Sequence, residues 1–256
     1  MRKLIYFIPF ALLISCGDPI PEDSPEDKAL QDEQDMEFTE RMKREVEASL
    51  EIPVTEKYTF KIYKEFINSD TIEDAIITVN RFEFAKNEAI RMKKQAKMAE
   101  IGYMGKYNFF FYYDGKLDQI SVPLPAPSSP GRELDVQFAS ICSPTRKDVI
   151  LGHRIMNSGY KTYFTVLNDH DLSMVFQWKE FDKLGEAKPE AILHKLVPSK
   201  TGIGMDIQLY ESEIDNYNPT IADIYKYVPS ITKPKKLLYN FFYVEQAGKF
   251  AIQKPK

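Results

Sequence analysis

Cysteine is scarce in this chain, whose 256 residues include only Cys16 and Cys142. A disulfide framework is therefore excluded, and the apolar 43% of the residues have to hold the fold by packing. The chain also lacks the Gly-x-Ser-x-Gly, His-Glu-x-x-His, P-loop and dinucleotide-binding motifs. The serine hydrolases, zinc proteases and nucleotide-binding enzymes that carry those motifs have no signature here.

Long apolar runs are absent except near the first residue. Residues 4–14 are almost all apolar and follow Arg2 and Lys3. This run of eleven residues is too short for a membrane-spanning helix, which needs about 20. A positive start, an apolar segment and a small residue, Ser15, in that order predict a secretory signal peptide over residues 1–15.

Cys16 directly follows the small residue of this segment. The order Leu13-Ile14-Ser15-Cys16 resembles the lipobox of bacterial lipoproteins. The resemblance implies cleavage before Cys16 and a lipid on its sulfur, because a free thiol is needed for thioether attachment. Two or three acyl chains would hold a soluble domain stably on a bilayer. We therefore expect a lipid-anchored protein of the cell envelope, at the outer membrane, on either its periplasmic or its surface face.

The charge balance of the remaining chain is mildly acidic. Residues 1–15 contain two of the 34 basic residues and none of the 38 acidic ones, so residues 16–256 carry a net charge of −6. Nucleic-acid binding depends on neutralising phosphates with basic side chains. We therefore expect no nucleic-acid partner.

The segment after Cys16 is polar and rich in proline. Residues 16–35 contain little to bury and are predicted to be a disordered tether. Their acidic cluster resembles the surface-export signal of some outer-membrane lipoproteins, and a plain solvated linker explains it equally well. Residues 36–256 are predicted to be a single domain, which begins with an amphipathic helix over 36–51 whose apolar positions are Phe38, Met42, Val46 and Leu50.

Alternation of apolar and polar residues dominates the rest of the chain. It predicts about eleven strands, and one such strand places Leu172, Met174, Phe176 and Trp178 on a shared inward face. The aromatic run at 109–113 is predicted to pack in the core, with a ring platform for sugars as the alternative. No repeat stands out at a period of 20 to 50 residues. We predict a mainly β fold, an antiparallel sandwich or open barrel with one N-terminal helix and one inserted helix.

The inserted helix, predicted over residues 84–101, carries a cluster of basic side chains. Its small apolar stripe indicates that the helix lies against the body of the domain. The favoured interpretation of the basic cluster is a solvated face. The alternative is a docking face for anionic head groups or an acidic partner. The cluster comprises Lys86, Arg91, Lys93, Lys94 and Lys97.

The segment 68–74 resembles the calcium loops of FG-GAP-type repeats, which alternate oxygen ligands around one ion. Asn68, Asp70 and Asp74 match the third, fifth and ninth positions of that loop. The first position is Phe66, which cannot ligate, and the sixth is Thr71 in place of glycine. We interpret the segment as a decayed loop that binds no metal, in which Asn and Asp cap a turn through side-chain to backbone hydrogen bonds.

Other chemically capable residues are given structural roles. The cluster at 168–171, which includes Asp169, His170 and Asp171, is predicted to be a hairpin turn. His153 and His194 lie within strand patterns and have no partner at a ligand spacing. Cys142 is interpreted as a small buried hydrophobe.

These patterns predict a membrane-anchored envelope or surface lipoprotein that is non-enzymatic and binds a protein or glycan partner. The predicted domain resembles, in general terms, uncharacterised lipoproteins of diderm bacterial envelopes. No catalytic residue, metal or cofactor is assigned. The alternative is a hydrolase of envelope polymers that works through paired carboxylates such as Asp169 and Asp171, and two carboxylates facing each other across a cleft would favour it.

The lipid anchor is testable by substitution of its attachment point. Cys16→Ala should release the protein from washed membranes, because the thioether can no longer form, and cell fractionation followed by immunoblotting measures this. Cys142→Ala is the matched control and should remain in the membrane fraction. Unchanged fractionation of the Cys16→Ala protein would contradict the prediction.

Overall fold

The computed structural model describes residues 25–93, 107–167, 171–200, 204–220, 223–224 and 226–253. The chain divides into two compact units, of which the first ends at Met42 and the second begins at Lys43. The second unit contains every strand of the described residues. Among the described helices, none is long and apolar enough to cross a membrane.

The first helix begins earlier than the sequence pattern predicts. Helix α1 covers Pro25–Ser49, so residues 25–35 of the expected tether are helical. The predicted apolar face is confirmed, because Met42 and Val46 are fully buried and Phe38 and Leu50 are partly buried. The helix ends before Pro53, where Glu51 takes a positive φ of 51°.

The first sheet has five antiparallel strands. Strand β2 lies between β1 and β3, and β3 also pairs with the two short strands β4 and β5. All seven residues of β2 are buried, which agrees with its continuous apolar sequence. The strands are β1 (Thr59–Glu65), β2 (Asp74–Asn80), β3 (Asn108–Asp114), β4 (Gln119–Ile120) and β5 (Leu124–Pro125).

The second sheet has eight strands, and each pairs with the next one along the chain. Such an antiparallel meander confirms the predicted mainly β sandwich class. A short 3₁₀ helix at Glu245–Ala247 joins the last two strands. The strands are β6 (Asp135–Ala139), β7 (Asp148–Ile155), β8 (Ser158–Leu167), β9 (Asp171–Asp182), β10 (Glu190–Pro198), β11 (Met205–Ser212), β12 (Lys236–Val244) and β13 (Lys249–Gln253).

Strands β7 to β9 form a middle layer that is packed on both faces. In β7, Val149 and Leu151 join a core with residues of the first sheet, including Ile76 and Phe110. Ile150, between them, points to the other face and joins a second core with residues of β10 to β13. The second sheet therefore folds back on itself, and its last four strands cover the face of β7–β9 that the first sheet does not.

The predicted shared face in β9 is wrong at one position. The pairing with β8 shifts register between Tyr163 and Phe164, which leaves Val175 as an extra residue in β9. Each extra residue turns the following side chains to the opposite face. Leu172 therefore packs in the first core, whereas Phe176 and Trp178 pack in the second.

The same turn occurs at the start of β2 and at the start of β7. In each, an aspartate is the first residue of the strand and accepts hydrogen bonds from the backbone N–H groups seven and six residues earlier. Asp74 Oδ2 accepts from Ile67 at 3.1 Å and Asn68 at 3.0 Å, and Asp148 Oδ2 accepts from Ile141 at 2.8 Å and Cys142 at 2.6 Å. The period is 74 residues, longer than the range in which a sequence repeat was sought.

The turn at Asp148 gives a testable stability difference. Asp148→Ala should lower the free energy of unfolding by about 2–4 kcal/mol, because it leaves two buried N–H groups without an acceptor. Urea unfolding followed by circular dichroism measures the change. Asp135→Ala, at an exposed position of β6, is the control and should change stability by less than about 0.5 kcal/mol. Equal stability of the two variants would contradict the assigned role.

Candidate functional site

Several of the predicted site residues lie outside the described residues. They are the lipidation residue Cys16, the basic residues Lys94 and Lys97, and Asp169 with its neighbour His170. Asp171, the other carboxylate of the hydrolase alternative, is exposed at the first position of β9.

The segment resembling a calcium loop is a turn held by its own side chains. Asn68 Oδ1 accepts from the backbone N–H of Asp70 at 2.9 Å, and Asp70 Oδ1 accepts from that of Ile72 at 2.9 Å. Asp74 Oδ1 accepts from the N–H of Gly115 at 3.0 Å, which ties the turn to the β3–β4 hairpin. The predicted capping role is confirmed. Over the described part of the chain, no group of three or more His, Cys, Asp or Glu side chains is placed to hold a metal ion.

The described part of the inserted helix is shorter than predicted. Helix α2 covers Phe82–Arg91, and Lys93 follows it with a positive φ of 54°. Two of the basic side chains face acidic ones on the same helix, with Lys86 at 3.6 Å from Glu83 and Arg91 at 3.8 Å from Glu88. These pairs reduce the positive field of the cluster.

Cys142 and the aromatic run of β3 are core residues. Burial raises the pKa of the Cys142 thiol far above its usual value, with the Asp148 carboxylate adding to the rise. Such a thiol stays protonated and is a poor nucleophile. Phe110, Phe111, Tyr112 and Tyr113 are buried, so the prediction of core packing is confirmed for this run.

A groove opens where the second sheet divides. Strand β9 has twelve residues but pairs with β10 only through Asp182 with Glu190 and Phe181 with Ala191. Beyond these two pairs the strands diverge, and a cavity of about 480 Å³ lies between them. This volume is within the range of ligand sites. The lining residues named in the argument below are Gln177, Trp178, Lys179, Asp182, Glu190 and Tyr239.

Aromatic rings form the apolar wall of this groove. The rings of Trp178 and Tyr239 lie with centroids 5.5 Å apart at an angle of 56°. Trp178 stacks on Phe176 at 6.3 Å and contacts Phe241 at 5.7 Å, so the second core supports it from behind. Tyr239 is 36% exposed. The open end of an aromatic core therefore faces solvent at this point.

Paired charges form the rim. Lys179 donates a hydrogen bond to Asp182, and Lys183 donates one to Glu190. Burial acts to raise the pKa of Asp182, but the hydrogen bonds from Lys179, the Ser158 hydroxyl and the Lys183 backbone outweigh it, so this pKa is lowered. The carboxylate stays ionised at neutral pH and is balanced by lysine.

His194 bridges the gap between β9 and β10 below the rim. Its Nε2 lies 3.0 Å from the carbonyl oxygen of Lys179, and its Nδ1 lies 3.0 Å from the hydroxyl of Tyr163. Burial lowers the pKa of His194 to about 4, so the ring is neutral at pH 7. The neutral ring therefore donates through Nε2 to the carbonyl and accepts at Nδ1 from the hydroxyl. This side chain replaces the backbone pairing that the two strands lack.

The sequence patterns missed this groove for a physical reason. They predicted Gly159 as a turn residue, whereas it is the second residue of β8. A Cβ there would lie 2.2 Å from Cε1 of Phe181, so the glycine makes room for that ring beside the groove. The signal available in the sequence was the lone tryptophan next to Lys179 and near two acidic residues, but Tyr239 is sixty residues away.

The bridge predicts a specific response to acid. The folded-state pKa of His194 lies below its unfolded value, so the unfolded state binds the proton first as the pH falls from about 6.5 to 4, and stability is lost across that window. His194→Gln removes this titration, so the variant should lose about 1–2 kcal/mol less than wild type between pH 7 and 4.5 in urea unfolding.

Tyr163→Phe is the control for this experiment. It removes the hydrogen bond at Nδ1 but keeps the titrating ring, so its stability should be lower at every pH while its acid dependence follows that of wild type. Parallel acid profiles for His194→Gln and wild type would show that the ring is not held neutral in the fold.

Comparison of the chain with family models, with curated proteins and with solved structures finds no match. Function is therefore argued from the geometry of the groove and from the residues that line it.

Proposed function

We propose that this protein is a membrane-anchored envelope or surface lipoprotein that is non-enzymatic and binds a protein or glycan partner in the groove between β9 and β10. The observation that carries the proposal is the open aromatic wall of Trp178 and Tyr239 beside a rim of paired charges. Aromatic side chains with one exposed face and nearby polar groups are typical of recognition surfaces.

Location is the second part of the proposal. The support for it is the sequence before residue 17, where a basic start, a short apolar run and Cys16 resemble a lipoprotein signal peptide. A lipid on Cys16 would keep the groove-bearing unit beside the membrane at a high local concentration relative to envelope components. A binding protein of modest affinity gains most from such tethering.

The carboxylates of the groove support binding over hydrolysis. A glycoside hydrolase needs one carboxylic acid with a raised pKa to protonate the leaving group. Asp182 has a lowered pKa instead, and both Asp182 and Glu190 are hydrogen-bonded to lysine. Asp171 of the hydrolase alternative lies at the opposite end of β9 from the groove.

Co-sedimentation with envelopes tests the proposal. Full-length protein carrying Cys16→Ala would be mixed with washed envelope fractions from the producing cells and pelleted. We expect saturable binding that the added Tyr239→Ala substitution reduces by about fivefold or more, as for a central aromatic contact. Tyr210→Ala is the matched control, since Tyr210 follows the buried Leu209 on β11 and points to the opposite face.

Two results would contradict the groove as the binding site. One is equal sedimentation of the Tyr239→Ala and Tyr210→Ala proteins. The other is no sedimentation of any protein above the level of an unrelated soluble protein. Circular dichroism of each variant checks that its fold is intact.

A further inference from the structure

We propose that the groove is a subsite for a neutral saccharide, with one sugar ring packed on Trp178 and Tyr239. This inference rests on the proposed function and names the class of ligand that the groove takes. It is carried by three properties of the groove: its angled aromatic pair, its mixture of hydrogen-bond donors and acceptors, and its balanced charge.

The angled aromatic pair fits a ring with an apolar face. A sugar ring presents several C–H groups on one face, and this face packs on an aromatic surface with hydrophobic gain and attraction to the ring quadrupole. The 56° angle between Trp178 and Tyr239 forms a corner that contacts a ring from below and from one side. Flat stacking of an extended aromatic ligand would need parallel walls.

The rim fits hydroxyl groups. Each sugar hydroxyl both donates and accepts hydrogen bonds, so its binding site needs both kinds of group within reach. Lys179 supplies donors, Asp182 and Glu190 supply acceptors, and all three line the cavity. Gln177 also lines it, and its amide is oriented by a 2.7 Å hydrogen bond to the Thr162 hydroxyl.

The balance of charge favours a neutral ligand. Asp182 faces Lys179 and Glu190 faces Lys183, so each charge of the rim already has its counter-charge. An anionic or cationic ligand would have to break one of these pairs and leave its other member without a counter-charge. A polyhydroxyl ligand can bond to both members of a pair without separating them.

The groove is also held in place before any ligand binds. Phe176 and Phe241 back the ring of Trp178, and the His194 bridge fixes the spacing of β9 and β10. On the other side of the groove, Phe181 lies against Gly159 and 5.5 Å from the Arg154 guanidinium. A rigid site loses little conformational entropy on binding, which allows a weakly interacting sugar to bind measurably.

The single tryptophan makes the experiment direct, because all tryptophan emission comes from Trp178. Full-length Cys16→Ala protein would be titrated separately with chitohexaose, maltohexaose and cellohexaose as neutral probes, and with hexagalacturonate as the anionic probe. We expect a saturable shift or quench of the emission with at least one neutral probe, and at least tenfold weaker binding of hexagalacturonate.

Variants of the groove test whether the signal reports this site. Tyr239→Ala should weaken binding of the neutral probe about five- to tenfold, the loss expected for one aromatic contact. Tyr210→Ala should bind like the parent protein. Both keep Trp178 as the reporter, and neither removes a residue of the fully buried core.

Each other outcome overturns the inference. The saccharide assignment is wrong if none of the three neutral probes gives a saturable change, if hexagalacturonate binds as well as they do, or if Tyr239→Ala binds like Tyr210→Ala. If envelope co-sedimentation still depends on Tyr239 in that case, the groove binds a protein partner and the proposed function stands. Loss of both signals contradicts the proposed function itself.

Discussion

The burial of one group of strands on both faces constrains the rest of this structure. Strands β7 to β9 have the first sheet against one face and strands β10 to β13 against the other. Neither outer layer could bury its apolar side alone, so each depends on this middle layer. The second sheet must therefore turn back on itself within its own length. It does so between β9 and β10, where backbone pairing is reduced to two residue pairs.

The groove is a consequence of that reversal. A sheet that folds back sharply cannot keep all its hydrogen bonds at the fold, and the diverging strands expose the end of the core between them. Here the exposed end carries Trp178 and Tyr239, and the imidazole of His194 links the strands in place of backbone pairing. The feature that closes the architecture thus also creates the site proposed for ligand binding.

Buried carboxylates organise the ends of the layers. Asp74 and Asp148 each gather backbone N–H groups from the loop before their strand, one in each sheet. Burial raises the pKa of both groups, and the hydrogen bonds from the loops act against that rise. The recurrence of this turn after 74 residues, with isoleucine, serine, threonine and aspartate at matching positions, indicates that the two meanders share one local design. In the first turn, the side chains that resemble calcium ligands serve the backbone instead.

Local patterns in the sequence were sufficient for the class of fold, the helix face around Val46, the capping role of Asp70 and the position of nearly every strand. These depend on periodicity and turn chemistry within about ten residues, which a single sequence displays. The sequence alone also places the expected lipidation at Cys16. Only the tertiary structure decided which face each part of β9 presents, because one extra residue at Val175 reverses the alternation. It alone decided that Trp178 meets Tyr239 and that Gly159 makes room for Phe181. Contacts between distant strands depend on how the layers pack, and no local pattern in a sequence encodes that packing.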